Sequence, residues 1–150
     1  MPPGGAFTKT PYYTDPVGFA FSAGGHRIGY ATDLGFVSDL VKTKLGGCDL
    51  LVLESNYDTA MLRKSKRKLE LKRRIAGNFG HLGNTQAMEA LEELLPPNTK
   101  HLILAHISRE CDDYQLVANL TEARLAELHR QDIAFCLASQ SDPLKTFCLE

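Results

Sequence analysis

The sequence is short of cysteine, of net charge and of long hydrophobic runs, and each shortage excludes a class of protein. Four cysteines without a C-x-x-C pair are too few for a disulfide scaffold. No apolar run approaches the roughly 20 residues of a membrane span, and no charged-then-apolar leader opens the chain. The formal net charge of −1 excludes a globally basic nucleic-acid-binding protein, although not a local basic patch. These absences predict a reduced, soluble, cytoplasmic domain.

Two enzyme classes are also disfavoured by what the motifs lack. The glycine pairs Gly24-Gly25 and Gly46-Gly47 do not have the G-x-G-x-x-G spacing of a dinucleotide-binding turn. Cys111 lies near His106 in the sequence, but nothing around it indicates an activated thiol. A Rossmann-type dehydrogenase and a thiol-dependent enzyme are therefore poor interpretations.

The remaining composition predicts one compact α/β domain. Hydrophobic residues make up 43% of the chain and charged residues 23%, as in ordinary globular proteins. Strand-like and helix-like patterns alternate along the sequence, which is typical of a layered sheet. After a loose tail over residues 1–6, we predict a hairpin (17–22 and 26–32), helices (38–45, 61–75, 85–95 and 113–130), buried strands (49–54, 101–105 and 133–138) and a last strand near Phe147.

Polar side chains follow the predicted strands at the points where a ligand would bind. Asp33 and His106 each come directly after a strand, and His81 lies in a glycine-rich break. Ligands of open α/β sheets gather beyond the carboxyl ends of the strands. Aspartate and histidine bind zinc, manganese or iron. The alternatives are a turn or capping aspartate and a hydrogen-bonded histidine at the edge of the core.

Five short motifs occur in a fixed order and give the sequence its resemblance to a known family. The motifs are Asp15-Pro-Val-Gly-Phe, Tyr30-Ala-Thr-Asp-Leu-Gly, Asp49-Leu-Leu-Val-Leu-Glu-Ser-Asn, Gly80-His-Leu-Gly-Asn and Leu104-Ala-His-Ile-Ser. Together they resemble the second half of the metallo-β-lactamase-fold hydrolases of the YycJ/WalJ type, relatives of ribonuclease Z and the β-CASP nucleases. The resemblance implies half of an αββα sandwich, a mixed sheet with flanking helices, and metal-dependent phosphodiester hydrolysis of an exonuclease kind.

The resemblance also implies a role for four residues. Asp33 matches the aspartate that bridges two metal ions, zinc or manganese, and His106 matches the last metal-binding histidine. His81 matches a histidine that contacts substrate or donates a proton, and its alternative is a structural loop histidine. Glu54 matches a glutamate at a strand end that orients a ligand, and its alternative is a capping or salt-bridged carboxylate.

Two departures from the family pattern limit this interpretation. The T-x-H-x-H-x-D-H signature, which supplies most of the metal ligands in the family, is absent, and Pro11 stands where relatives carry a further ligand histidine. A smaller departure is Tyr57, where relatives often carry histidine. A catalytic zinc site normally needs three protein ligands. We therefore expect this chain alone to be incomplete, to hold no stoichiometric zinc or manganese, and to be inactive as a hydrolase.

A basic segment is the second feature with a functional interpretation. Residues 63–74 contain eight lysines and arginines and one glutamate. Such a cluster attracts phosphate backbones, and its affinity falls steeply with salt. The alternative is a solvated helix face, which most charge runs are. If the segment binds single-stranded nucleic acid, the residues we expect to carry the contact are Lys66, Arg67, Lys68 and Arg73.

Three hypotheses follow for the whole chain. The first is part of a metal-dependent hydrolase, and the second is a non-catalytic nucleic-acid-binding module that uses a basic 63–74 helix. The third is a fragment that needs its missing half to fold. Half of a sandwich would expose an apolar sheet face and a strand edge, so the third hypothesis predicts homo-oligomers or aggregates.

Overall fold

A computed structural model describes residues 6–9, 17–146 and 148–149, and over these residues the chain forms a mixed six-stranded sheet with helices. The strands lie in sequence order, with β1 to β3 antiparallel and β3 to β6 parallel. They are β1 (Ala6–Lys9), β2 (Val17–Ala23), β3 (His26–Ala31), β4 (Leu50–Glu54), β5 (His101–Ala105) and β6 (Ala134–Leu137). The α/β class predicted from the sequence is confirmed.

Three of the five helices in the described part of the chain begin at a capping side chain. They are α1 (Asp39–Leu45), α2 (Thr59–Lys64), α3 (Leu69–Ile75), α4 (Asn84–Leu94) and α5 (Tyr114–Glu127). Side-chain oxygens of Ser38, Asp58 and Asp113 accept hydrogen bonds from backbone N–H groups in the first turns of α1, α2 and α5. Each such cap stabilises a helix by about 1 kcal/mol. No helix among the described residues is both long and apolar enough to cross a membrane.

The main core lies between one face of the sheet and the helices. Ala31, Leu53 and Leu104 point from β3, β4 and β5 into this layer and are fully buried. Leu91 of α4 and Val117 of α5 cover them and are also fully buried. Because burying one such side chain contributes about 1.5–3 kcal/mol, this layer fixes the parallel strands in register.

The opposite sheet face carries a second apolar row. Phe19, Tyr30, Val52, Ile103 and Cys136 are successive cross-strand partners from β2 to β6. Tyr30 is 40% exposed, whereas Val52 and Ile103 are only 9% and 8% exposed. The prediction of an exposed apolar face is thus wrong at β4 and β5. There Ala138 and Leu149 pack against the cluster that contains Val52 and Ile103.

Two predicted boundaries need correction. The basic segment is not one helix, because Ser65 ends α2 and its hydroxyl donates to the carbonyl of Leu62. The break lets Leu62 of α2 and Ile75 of α3 reach the same buried cluster. Ala6 belongs to β1, so the tail cannot extend through residue 6. Residues 1–5 and the strand expected at Phe147 lie outside the described residues.

Candidate metal centre

Three neighbouring parallel strands deliver polar side chains to one edge of the sheet. Asp33 follows β3, Glu54 is the last residue of β4, and His106 follows β5. The loop before α4 adds His81. Carboxyl ends of parallel strands share an edge, so residues far apart in the sequence meet there. These four residues are called the candidate metal centre below.

Glu54 organises this centre from the inside. Its carboxylate is fully buried, and Oε1 lies 2.6 Å from Nδ1 of His106 and 2.8 Å from Nδ1 of His81. Its Oε2 accepts from the backbone N–H of Leu34 at 2.8 Å and of Leu82 at 3.2 Å. One side chain therefore joins the turn after β3, the loop before α4 and the end of β5.

The protonation state of Glu54 decides how both histidines are oriented. Burial by itself would raise the pKa of this carboxyl, but the hydrogen bonds from His106, His81 and the Leu34 N–H hold it below its usual value. An ionised carboxylate only accepts hydrogen bonds, so Nδ1 of each imidazole donates to it. In each neutral ring the free lone pair is then on Nε2, the atom that can bind a metal ion.

Asp33 completes the centre from the exposed side. Its Oδ1 lies 3.5 Å from Nδ1 of His81 and 3.7 Å from Nδ1 of His106, and its side chain is 60% exposed. Hydrogen bonding to Glu54 raises the pKa of His106, burial opposes the rise, and the charges of Glu54 and Asp33 add to it. Asp33 and His106 both adopt left-handed backbone conformations, with φ of 59° and 60°. Such strain in non-glycine residues concentrates at functional sites.

The donor set fits a divalent metal ion. One ligand atom from each of the four residues lies within 4.8 Å of all the others. The chemistry is one exposed carboxylate and two imidazoles backed by a buried carboxylate, a combination that suits zinc or manganese. Asp33, His81 and His106 can thus offer ligand atoms, while Glu54 already uses both oxygens to hold its neighbours.

A second polar chain supports the loops around the centre. The Asn56 side chain donates to the carbonyl of His106 at 2.6 Å. Next to Asn56, the Ser55 hydroxyl donates to Oδ1 of Asn84 at 2.7 Å, and Nδ2 of Asn84 donates to Oδ1 of Asp112 at 2.8 Å. The other oxygen of Asp112 is buried without a hydrogen-bond partner. Burial raises the pKa of this carboxyl to about 6, although the hydrogen bonds from Asn84 and Asp113 oppose the rise.

Asp112 therefore makes a pH-dependent contribution to stability. The unfolded carboxyl titrates near 3.8 and the folded one near 6, so the folded state loses stability as the pH rises through that interval. Asp112→Asn cannot ionise and keeps an oxygen for Asn84. We expect the variant to be more stable than wild type by about 1–3 kcal/mol at pH 8, with a much smaller gain at pH 4. Urea unfolding at both pH values measures the difference, and an equal gain at both would contradict it.

A cleft of about 600 Å³ opens over the candidate metal centre. Asp33, His81 and His106 line it together with Arg67, one of the predicted phosphate-binding residues. The other three predicted residues, Lys66, Lys68 and Arg73, are exposed and do not line it. Further lining residues that the sequence did not single out include Arg74, Leu71, Phe79 and Gln140. A signal for two of them existed, since Arg74 belongs to the basic segment and Phe79 precedes His81 by two residues.

Of the departures at single positions, the structure describes Tyr57 but not Pro11. Tyr57 is buried, and a Cβ atom on Gly83 would lie 2.9 Å from its ring, so the ring packs tightly against that glycine. Its position is structural and outside the group of candidate ligands. Pro11 lies outside the described residues.

The strand order, the flanking helices and the candidate metal centre at the sheet edge define a metallo-β-lactamase-type fold. The chain belongs to the beta-lactamase superfamily domain family, whose profile matches residues 3–107. This matched region contains all four residues of the centre.

Curated relatives within this superfamily are named as nucleases. The chain is 37% identical over 94 residues to exodeoxyribonuclease YycJ of Bacillus anthracis, covering 63% of this chain and 36% of that protein. It is 37% identical over 79 residues to exodeoxyribonuclease WalJ of Streptococcus pneumoniae, covering 53% of this chain and 29% of the relative. The chain therefore matches about a third of the length of these relatives.

Two solved structures share the fold. The metallo-beta-lactamase fold protein YhfI of Bacillus subtilis superimposes with a TM-score of 0.62 at 16% identity, covering 89% of this chain and 45% of that protein. Zinc-bound PqqB of Methylobacterium extorquens gives a TM-score of 0.56 at 21% identity, covering 89% and 43%. At these identities the likeness establishes the fold, and the function needs separate support.

Proposed function

We propose that this chain carries part of the active site of a metal-dependent phosphodiesterase that acts on nucleic acid as an exonuclease. The observation that carries the proposal is the convergence of Asp33, His81 and His106 on the buried carboxylate of Glu54. Relatives named as exodeoxyribonucleases support the choice of substrate. They also favour a cytoplasmic location, which stays a prediction.

Each residue of the centre has one task in this proposal. Asp33 and His106 hold divalent metal, zinc or manganese, and Glu54 orients the two imidazoles. When bound, the ions supply a nucleophilic water and neutralise charge on the phosphate. In the doubly protonated form, His81 gives its Nε2 proton to the leaving oxygen and becomes neutral, while its Nδ1–H stays bonded to Glu54.

We further propose that this chain, residues 1–150, forms the second half of a metallo-β-lactamase domain. Asp33 and His106 alone fall short of the three protein ligands that a catalytic zinc site normally has, and His81 is reserved here for proton transfer. The remaining ligands would come from a segment bearing T-x-H-x-H-x-D-H, and Pro11 adds no ligand of its own. The limited share of each relative that this chain matches supports the same view.

The proposal is tested by assembly with the missing ligands. The chain is mixed with the amino-terminal half of the Bacillus anthracis relative, and release of nucleotides from a labelled single strand is followed with manganese or zinc. We expect little hydrolysis by either half alone and metal-dependent hydrolysis by the mixture. Asp33→Ala in the mixture should abolish hydrolysis, whereas Asp39→Ala, at an exposed aspartate on α1, should not. A stable complex that shows no hydrolysis with either metal would overturn the proposal.

The basic segment favours a second candidate function, binding of nucleic acid without hydrolysis. Arg67 and Arg74 line the cleft. Their sequence neighbours Lys66, Lys68 and Arg73 are exposed. Arg67 is partly engaged already, since its guanidinium pairs with Glu110 at 2.6 Å. Hydrolysis by the assembled domain would decide for the enzyme, and binding by an inactive complex would decide for the binding module.

Charge reversal in the segment should weaken binding in a salt-dependent way. We expect Lys68→Glu to reduce single-strand affinity at low salt and to lower the slope of log affinity against log salt by about one. The fourfold reversal of Lys66, Arg67, Lys68 and Arg73 should abolish binding. Lys44→Glu on α1 makes the same charge change at an exposed position that does not line the cleft. Fluorescence anisotropy with a labelled oligonucleotide gives the slopes. Equal slopes for Lys68→Glu and Lys44→Glu would exclude the basic segment as the nucleic-acid-binding surface.

A further inference from the structure

The cleft over the candidate metal centre is lined by both apolar and cationic side chains. Leu71 and Phe79 are 40% and 54% exposed, although large apolar side chains usually lie inside. They share the cleft with Arg67 and Arg74. The Nε atom of Arg67 is buried and has no hydrogen-bond partner, so its pairing with Glu110 leaves donor capacity unused.

Phe79 is held in place by its turn. The N–H of Gly80 donates to the carbonyl of Gly77 at 2.9 Å, and the N–H of His81 donates to the carbonyl of Ile75 at 2.8 Å. A Cβ atom on Gly80 would lie 2.1 Å from the carbonyl oxygens of Arg74 and Ile75, so the turn packs directly on the end of α3. The aromatic ring is therefore presented from a fixed backbone two residues from His81.

A nucleotide has the same two-part chemistry as this lining. Its base offers a flat apolar face for an aromatic ring, and its phosphate accepts paired hydrogen bonds from guanidinium groups. The cleft volume of about 600 Å³ lies within the range of about 300–1,000 Å³ typical of small-ligand sites. An unpaired base can present its face to a protein ring, whereas a base inside a duplex is already stacked on its neighbours.

We infer that Phe79 is a base-stacking residue, and that the cleft takes an unpaired nucleotide of a single-stranded nucleic acid next to the candidate metal centre. In this arrangement Leu71 adds apolar contact, and Arg67 and Arg74 bind the phosphates. The inference rests on the proposed function and deepens it by naming the residues that bind the base and the phosphates of a nucleotide. It assigns Phe79 a positioning role in substrate binding that none of the sequence motifs contains.

Binding in the presence of a chelator tests the inference without hydrolysis. The probes are fluorescein-labelled octathymidylate, an abasic octamer with the same number of phosphates, and a blunt duplex, all at low salt. We expect the wild-type chain to prefer octathymidylate over both other probes. Phe79→Ala should weaken binding of octathymidylate by roughly 5- to 150-fold, the range for loss of one base–aromatic stack, and leave the abasic octamer unaffected.

Two further variants distinguish loss of base stacking from a general effect of removing an exposed apolar side chain. Phe79→Tyr keeps an aromatic ring and should bind octathymidylate like wild type. Leu69→Ala removes an exposed apolar side chain of α3 that does not line the cleft. This variant should also bind octathymidylate like wild type. The inference is overturned if wild type binds the abasic octamer as tightly as octathymidylate, if Phe79→Ala weakens both probes equally, or if it weakens neither. Manganese-dependent cleavage of the abasic octamer by the assembled domain tests the proposed function separately, because that probe has no base to stack.

Discussion

Replacing Glu54 with alanine is expected to destabilise the fold by about 2–5 kcal/mol. The change removes the acceptor for the buried N–H groups of Leu34 and Leu82 and for the Nδ1 atoms of both histidines. Each buried donor left without a partner costs about 1–3 kcal/mol, and the histidines can recover part of this through water. Urea unfolding followed by circular dichroism measures the loss.

Two controls show whether this loss belongs to the hydrogen-bond network. Glu54→Gln has nearly the same volume but only one oxygen, so it should satisfy some of the four donors and lie between alanine and wild type. Glu89→Ala removes an exposed glutamate from α4, where alanine is a good helix former, and should unfold like wild type. Equal unfolding midpoints for Glu54→Ala and Glu89→Ala would show that Glu54 does not hold the loops together.

Alanine variants of the two histidines of the centre are expected to lose different properties, kcat for His81 and metal affinity for His106. His81→Ala should lower kcat by about 10²- to 10⁴-fold, the usual contribution of a general acid, while metal affinity stays close to wild type. His106→Ala should lower metal affinity by more than about 100-fold. Losing a residue that only hydrogen-bonds to a metal ligand already lowers affinity by about 10- to 100-fold, and losing the ligand itself should lower it further. Hydrolysis by the assembled domain gives kcat, and calorimetric titration of the assembled domain with manganese gives the metal affinity.

The same measurements decide the role of His81. Its ring lies 5.0 Å from that of His106, and both donate to the same oxygen of Glu54, so the geometry also allows it to act as a ligand. If His81→Ala loses metal as completely as His106→Ala, His81 is a ligand and another group donates the proton. His129→Asn is the matched control, since that exposed histidine has a φ of 54° that asparagine tolerates.

Much of the framework could be read from local patterns. The hairpin over β2 and β3 was predicted from two β-rich runs around glycines, and the start of α1 from Ser38. Asp33 and His106 could be placed near each other because both follow strands of a parallel sheet. The break between α2 and α3 could not be predicted, since it depends on Leu62 and Ile75 reaching one buried cluster.

By itself, the sequence determined the α/β class, the order of the strands from β2 to β6 and the residues that end at one edge of the sheet, because periodicity, caps and turns act over a few neighbouring residues. Only the tertiary structure decided that Glu54 holds both histidines, which lie 27 and 52 residues away along the chain. It also decided that Phe79 and Arg74 share a cleft with them. The physical reason is that hydrogen-bond geometry and cleft shape depend on how loops pack across the sheet, and no local pattern records that packing.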